Sequence, residues 1–146
     1  MAATETEIVR RGPSVVVVLV DGRSVVLVQQ RREAVGAETL ELVQERLEPG
    51  ETPLDAAMRG VREECALLAT GWREHGSFWA VPAYSTQRAH VLSAVVVEQL
   101  RGGGEQATRT VHCDPADLDV LLDDAVSLAG LAVYRTSSSE RRRTGA

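Results

Sequence analysis

The segment 45–67 constrains the fold more than any other part of this 146-residue chain, because local sequence signals predict where a helix begins in it. Thr52 is a favoured N-cap, Pro53 suits the first helical position, and Asp55 stands where a capping box carries its acid. The apolar residues that recur at helical spacing are Leu54, Ala57, Val61 and Cys65. The pattern predicts a helix that ends near Leu68, with one apolar face and one face free to carry charge.

The flanking sequence predicts strands. Two β-branched apolar runs, 14–20 and 24–29, enclose Asp21-Gly22, which is a strong signal for a β-hairpin. Further strands are predicted at 39–43, 76–81, 89–97 and 107–113, and a C-terminal helix is predicted to begin over 115–125. Strands interspersed with helices favour the α/β class.

Length and composition indicate a single domain. With 44% hydrophobic residues, the chain can bury one core, built mostly from Val, Leu and Ala because aromatic residues make up only 3%. We expect the domain to span residues 13–134, after an N-terminal extension of residues 1–12. Residues 135–146 hold four arginines against one glutamate, and we expect this basic tail to be disordered.

The charged residues exclude several classes of function. All 16 basic residues are arginines, so no lysine is present to form a Schiff base or to act as a general base. The formal net charge is −5, and because the tail contributes +3, residues 1–134 carry −8. An acidic body repels a phosphate backbone, so we expect no nucleic-acid partner.

The cysteines and the hydropathy pattern indicate a cytoplasmic protein. Cys65 and Cys113 share no metal-type spacing with histidines, and we expect both to be reduced core thiols. The longest apolar run, 15–20, is too short to span a bilayer, and residues 1–11 lack the apolar stretch of a signal peptide. We therefore expect no contact with a membrane.

The segment 45–67 resembles the signature of the Nudix hydrolase superfamily: Gly, five residues, Glu, seven residues, Arg-Glu, an aliphatic residue, any residue, Glu-Glu, any residue, Gly, an aliphatic residue. The chain keeps six of these nine specified positions, namely Glu51, Arg59, Val61, Glu63, Glu64 and Leu67. Glu45 and Ala66 stand at the two glycine positions, and Gly60 replaces the glutamate after the arginine.

The likeness extends to roughly residues 13–133 and is closest to the ADP-ribose pyrophosphatase branch. It is carried by the stretches QQRREAVGAETLEL, EPGETPLDAAMR and GSFWAVPAYSTQRAH. The resemblance implies an α/β/α sandwich around a mixed β-sheet. It also implies magnesium-dependent cleavage of a nucleoside diphosphate derivative, a small phosphate-containing ligand and a homodimer.

The resemblance also suggests roles for individual residues. The catalytic candidates are Glu51, Arg59, Glu63 and Glu64, of which Glu63 and Glu64 are also the candidate magnesium ligands. The candidates for substrate binding are Arg32, Glu41, Glu45, Trp79 and His90. A guanidinium suits bidentate phosphate contacts, and the Trp79 ring can stack on a base or sugar. Glu105 is a weaker candidate for a catalytic base.

Gly60 removes a carboxylate from the site that the resemblance implies. A glutamate there would lie one helical turn before Glu64, about 5–6 Å away, with Glu63 alongside. Magnesium requires hard oxygen ligands, and in the family it polarises the diphosphate and lowers the pKa of an attacking water. Glycine supplies no ligand and costs a helix about 1 kcal/mol relative to alanine. We therefore expect weak magnesium binding and impaired catalysis.

Three functional hypotheses remain open on the sequence. The first is a magnesium-dependent hydrolase in which Glu41, Glu45 or Glu48 replaces the missing carboxylate. The second is a metal-independent enzyme in the same cleft, with His90 as its acid or base. The third is a ligand-binding or interaction module that has kept the fold and lost the chemistry. Replacing Gly60 by glutamate is expected to raise hydrolysis if the rest of the site is intact.

Overall fold

Helix α1 (Pro53–Cys65) forms where the local signals predict it. The computed structural model describes residues 5–101 and 109–144. The Thr52 hydroxyl accepts a hydrogen bond from the Asp55 backbone N–H, and the Asp55 carboxylate accepts one from the Thr52 backbone N–H, which confirms the predicted capping box. The helix ends at Cys65 rather than near Leu68, because Ala66 takes up a left-handed conformation with φ of 52°.

Seven strands in the described part of the chain form one mixed sheet. They are β1 (Ser14–Asp21), β2 (Ser24–Arg32), β3 (Ala37–Glu41), β4 (Val43–Arg46), β5 (Leu67–Trp79), β6 (Arg88–Gln99) and β7 (Arg109–Cys113). The main strand order is β3-β2-β1-β6-β5, with β4 paired to β1 and β7 paired to β2. Among these seven described strands, β1 and β6 form the one parallel pair, and the predicted hairpin is confirmed as the antiparallel pair of β1 and β2.

Strand β1 changes its partner along its length. Residues 14–17 pair with β4, whereas residues 19–21 pair with β2 at the hairpin. Strand β2 also pairs with β7 over residues 25–29, and beyond the hairpin it leaves β1 and pairs with β3 over residues 28–32. On its other side, β1 pairs with β6 over residues 14–20. The strands therefore spread apart at the end of the sheet that contains Ser14.

Helices cover both faces of the sheet, which confirms the expected α/β/α sandwich. Helix α1 packs Ala57, Val61 and Cys65 against one face, whereas Leu54 remains 37% exposed and lies outside this core. The second face is covered by α2 (Leu118–Leu121) and α3 (Ala125–Thr144), in a core that includes Leu131.

The structure differs from the sequence predictions in three segments. Strand β5 begins at Leu67, directly after α1, whereas the sequence predicts a strand only over 76–81. The predicted C-terminal helix is divided into a 3-10 turn at Pro115–Asp117, the short α2, and α3. Helix α3 continues to Thr144, so residues 135–144 are helical where composition predicts a disordered tail. No helix in the described ranges combines the length and apolarity needed to cross a membrane.

Contacts outside the tail explain why α3 continues. The Arg135 guanidinium donates two hydrogen bonds to Asp119, at 2.8 and 3.0 Å, and one to the Pro115 carbonyl at 3.3 Å. Ser137 contacts the imidazole of His75 on β5. These partners are distant in sequence, so local composition gives no sign of them.

Candidate active-site cleft

A polar cleft of about 500 Å³ opens where the strands spread apart. Three guanidinium groups, from Arg11, Arg32 and Arg46, and two carboxylates, from Glu45 and Glu64, line it. Its neutral polar side chains are Ser14, Gln30, Gln44 and Gln87. A volume of this size lies within the range of small-molecule sites, which is roughly 300 to 1,000 Å³.

The changed pairing of β1 brings these side chains together. Because β2 diverges from β1, Gln30 and Arg32 at the end of β2 border an opening whose other side is formed by β4. Strand β4 contributes three consecutive residues, 44–46, to the cleft. Glu64 enters from α1, which packs over the same end of the sheet. The site therefore depends on pairing between segments that are far apart in sequence.

Arg59 organises the acidic residues beside the cleft. Its guanidinium donates two hydrogen bonds to the Glu51 carboxylate, at 2.8 and 3.0 Å, and one to the Arg46 carbonyl at 2.8 Å. Glu63 and Glu45 lie farther away, 3.5 and 3.7 Å from its Nη1 atom. The hydrogen bonds from Arg59, joined by one from a backbone N–H, lower the pKa of Glu51 to about 2. Arg59 thus holds Glu51 as a carboxylate and fixes the loop before α1 to the helix.

Glu64 occupies the most unfavourable electrostatic position in the cleft. Gln30 Nε2 donates a hydrogen bond to its Oε2 atom at 3.4 Å. Burial raises the pKa of Glu64 to about 7, and the negative charge of Glu45 is the next largest cause. Two carboxylates and little solvent disfavour the charged form, so a cation beside Glu64 would be stabilised there.

Gly60 lies directly beneath Glu45. A Cβ atom added to the buried Gly60 would stand 2.9 Å from the Glu45 Cβ and 3.2 Å from its Cγ. The Cβ of a strand residue moves only with its backbone, so any side chain at position 60 would force α1 or β4 to shift. A glutamate at position 60 would therefore compete with Glu45 for space, and Gly60→Glu alone does not report whether the rest of the site is intact.

Arg32 forms an ion pair with a second carboxylate of the site. Its Nε and Nη2 atoms donate to the two Glu41 oxygens at 2.7 and 2.8 Å, and Thr39 and Gln44 also donate to Glu41. Burial alone would raise the pKa of Glu41, but the hydrogen bonds from Arg32 and Thr39 outweigh burial and hold this pKa below its usual range. Glu41 is therefore committed to internal partners, whereas Arg32 remains partly exposed to the cleft.

Trp79 and His90 are placed differently from the other candidates. The Trp79 ring is 53% exposed at the end of β5, with the Arg88 guanidinium carbon 4.7 Å from its centroid. His90 is half-buried near the start of β6, where it pairs in register with Val15 and Ser77. Neither side chain lines the polar cleft in the described part of the structure. Glu105 lies outside the described residues.

The carboxylates suit a magnesium ion only in company with another ligand. Within the described ranges, no group of three or more His, Cys, Asp or Glu side chains converges as a metal site. The Glu63 side chain is 60% exposed and lies beside Arg59, whereas Glu45 and Glu64 both line the cleft. Magnesium is commonly held by one or two carboxylates with substrate phosphates completing its shell. The donor set fits an ion shared with a bound phosphate and does not fit one caged by protein alone.

Several residues of the cleft have no counterpart among the sequence candidates. They are Arg11, Ser14, Gln30, Gln44, Arg46 and Gln87. Arg11 is held in place through its backbone, whose N–H donates to the Thr86 hydroxyl at 2.9 Å and whose carbonyl accepts from it. The only sequence signal for these residues is their polarity at strand ends, and many solvated residues share that signal.

Comparisons with known proteins agree with this fold. A model of the NUDIX domain family matches residues 10–131. The crystal structure of an ADP compounds hydrolase is similar, with a TM-score of 0.76 and 20% identity, covering 88% of this chain and 74% of that one. A NUDIX hydrolase from Nitrosomonas europaea has a TM-score of 0.72 and 18% identity, covering 86% of this chain and 88% of that one.

A search of curated protein sequences finds no match. The two similar structures share less than 25% of their residues with this chain, so they establish its fold alone. The family model, in contrast, spans most of the sequence and includes the whole segment that carries Glu51, Arg59, Glu63 and Glu64. The chain therefore belongs to the NUDIX domain family.

Proposed function

We propose that this protein binds a nucleoside diphosphate derivative, such as ADP-ribose or a nucleotide sugar, and hydrolyses its diphosphate slowly with the help of magnesium. The observation that carries the proposal is the composition of the cleft, where three guanidinium groups share about 500 Å³ with the carboxylates of Glu45 and Glu64. Guanidinium groups bind phosphate oxygens in bidentate fashion. The similar structures include an ADP compounds hydrolase, which supports this class of ligand.

Arg11 and Arg46 are the residues best placed to bind the phosphates. Arg32 already shares its charge with Glu41, whereas the side chains of Arg11 and Arg46 form no ion pair within the described part of the chain. Two unpaired guanidinium groups in one cleft repel each other and attract an anion. A diphosphate bound between them would neutralise both.

Slow turnover follows from the state of the acidic residues. Gly60 contributes no carboxylate, and Arg59 holds Glu51 and contacts Glu63. When bound with the substrate, magnesium supplies charge that polarises the diphosphate and acidifies an attacking water. Of the signature carboxylates, Glu64 is the one that lines the cleft, and it would help to hold such an ion with the substrate. One signature carboxylate in this position supports hydrolysis with less transition-state stabilisation than a complete set.

A ligand-binding module without turnover is the second candidate. It is favoured by the lack of a three-residue acidic metal group in the described ranges. Such a module would use the arginines of the cleft for binding and would leave its ligand unchanged. The two candidates share a ligand class and differ in whether a product forms.

Both candidates are tested by incubating concentrated protein with ADP-ribose and a panel of nucleotide sugars, with magnesium or with EDTA. We expect slow release of the nucleoside monophosphate, measured by chromatography, and its loss in EDTA. Arg11→Ala and Arg46→Ala should each raise KM about tenfold, since a hydrogen bond to a charged group contributes about 1.5 kcal/mol or more. Arg31→Ala, on the exposed side chain next to Arg32, is the matched control and should leave KM unchanged.

The outcomes separate the hypotheses. Product formation that persists in EDTA would replace the proposal with a metal-independent enzyme. A higher melting temperature with ligand but no product would support the binding module. Neither a product nor a thermal shift across the panel would eliminate both candidates.

We also propose a cytoplasmic homodimer. Cys65 and Cys113 are free thiols, and burial raises the pKa of Cys65 to about 12, which keeps it protonated and unreactive. Leu68, Val95 and Val97 are exposed on neighbouring strands β5 and β6, and exposed apolar side chains of this kind are typical of subunit contacts. Sedimentation equilibrium of the full chain tests the dimer, and a monomer at high concentration would contradict it.

A further inference from the structure

Side chains at positions 45 and 60 compete for the same space. A Cβ at position 60 would approach the Glu45 Cβ to 2.9 Å, which is closer than real Cβ atoms come to each other. Strand β4 and helix α1 pack so closely at this point that side chains at both positions would force one of the two elements to shift. In this chain the strand carries the side chain, as Glu45, and the helix has glycine, as Gly60.

The family signature has the opposite arrangement, with glycine at position 45 and glutamate at position 60. Two of the three departures from the signature therefore meet at one helix–strand contact, where the glutamate stands on the strand instead of the helix. A loss of function at Gly60 alone would not require glutamate, among all residues, at the facing position.

We propose that Glu45 supplies from strand β4 the carboxylate that the signature places on the helix, so that Glu45 and Glu64 are the two residues that would hold a divalent cation together with a substrate diphosphate. This inference rests on the proposed function, because it uses the same cleft and the same ligand class. It assigns to Glu45 a role that neither the fold nor the family likeness provides.

The surroundings of Glu45 fit this role. Its side chain is 22% exposed and lines the cleft, and one oxygen accepts a hydrogen bond from the Arg46 backbone N–H at 3.0 Å. The Arg59 guanidinium approaches it only to 3.7 Å, so this ion pair orients the Glu45 carboxylate and leaves it able to bind another group. Glu45 and Glu64 line the same cleft, one from β4 and the other from α1.

The other two acids that face this region are less suitable. Glu41 has a side chain only 5% exposed and accepts hydrogen bonds from Arg32, so its lone pairs are occupied. Glu48 is 67% exposed and lies 4.0 Å from Arg59. Of the three replacements that the sequence leaves open, Glu45 is the one that faces Glu64 in the cleft.

The decisive variants are Glu45→Gln, Gly60→Glu and the exchanged double variant Glu45→Gly/Gly60→Glu. The first readout is Mn²⁺ binding, which is measured by electron paramagnetic resonance with and without α,β-methylene-ADP, a diphosphate that cannot be cleaved. The second is monophosphate release from ADP-ribose. Glu33→Gln is the matched control, because Glu33 has an 86% exposed side chain outside the cleft.

We expect Mn²⁺ to bind the unmodified protein at least tenfold more tightly with α,β-methylene-ADP than without it. Glu45→Gln should lose at least tenfold of that affinity, and Glu33→Gln should retain it. Gly60→Glu alone should unfold at a lower temperature, whereas the double variant should recover both stability and Mn²⁺ binding. Binding to Glu45→Gln equal to that of the unmodified protein would overturn the inference, even if the position-60 variants fail to fold.

The binding readout separates this inference from the proposed function. Mn²⁺ binding that depends on Glu45, without any monophosphate release, would refute the hydrolase and leave the role of Glu45 intact. Monophosphate release that is unchanged in Glu45→Gln would support the hydrolase and refute the role of Glu45.

Discussion

Replacing Gly60 by alanine measures how closely α1 and β4 approach. In an open helix this change would stabilise the protein by about 1 kcal/mol. Here the new methyl group would stand 2.9 Å from the Glu45 Cβ and 3.2 Å from its Cγ, and overpacking of this kind costs about 1 to 3 kcal/mol. With a cost of about 2 kcal/mol, the free energy of unfolding should fall by about 1 kcal/mol.

The same change should stabilise a protein that has glycine at position 45. In the Glu45→Gly background the space is free, so Gly60→Ala should raise the free energy of unfolding by about 1 kcal/mol. The coupling between the two sites is then about 2 kcal/mol, which urea denaturation of the four proteins in the cycle resolves. A parallel cycle with Glu48→Gly, on an exposed side chain, should show additivity. Additive effects at positions 45 and 60, within about 0.5 kcal/mol, would refute the close contact.

Three further predictions concern stability. Glu64→Gln should stabilise the protein at pH 8 and have little effect at pH 4. The pKa of Glu64 is about 7 in the folded state and near 4.5 in the unfolded state, so the folded protein loses stability as the pH rises from 4.5 to 7 and Glu64 becomes charged. Equal effects of the substitution at both pH values in urea titrations would contradict this. Arg32→Ala should lower the free energy of unfolding by about 3 kcal/mol, since it leaves the buried Glu41 carboxylate without its charged partner, whereas Arg31→Ala should change it by less than about 0.5 kcal/mol. Thr52→Ala should cost about 1 kcal/mol through loss of the helix cap, and an unchanged melting temperature would argue against the capping box.

The elements that the sequence predicts well are those whose signals are local. The hairpin of β1 and β2 follows from two β-branched runs around Asp21-Gly22, and α1 follows from its cap and its apolar spacing. Strand β5 was predicted only in part, because register shifts near Thr70 and Glu74 interrupt its pairing with β6 and obscure the alternation of side chains.

The C-terminal helix shows the opposite case. The sequence of its last part, 135–144, has the composition of a polar tail. This part is helical and contacts elements that are distant in sequence, since Arg135 binds Asp119 and Ser137 contacts His75. Composition alone does not contain such information.

The sequence predicts which charged residues belong to the candidate site but not how they are arranged in space. Glu64, Glu45 and Arg32 do meet in one cleft, because β4 pairs with β1 and α1 packs on β4. The sequence does not reveal that Glu45 faces Gly60, since that relation depends on the register in which Glu45 pairs with Val15. For the same reason Arg11 was not a candidate, as its place in the cleft depends on contacts with Thr86.

The pairing of β1 has a consequence for how the protein tolerates change. One side of this strand is joined to β6 over residues 14–20, and the other side is divided between β4 and β2. Substitutions at the cleft-lining positions of β4 and at the cleft end of β2 are expected to alter ligand preference while the pairing of β1 with β6 keeps the core intact. Changes in ligand preference can therefore be made at one edge of the domain, and libraries of variants designed for new ligands should target residues at that edge.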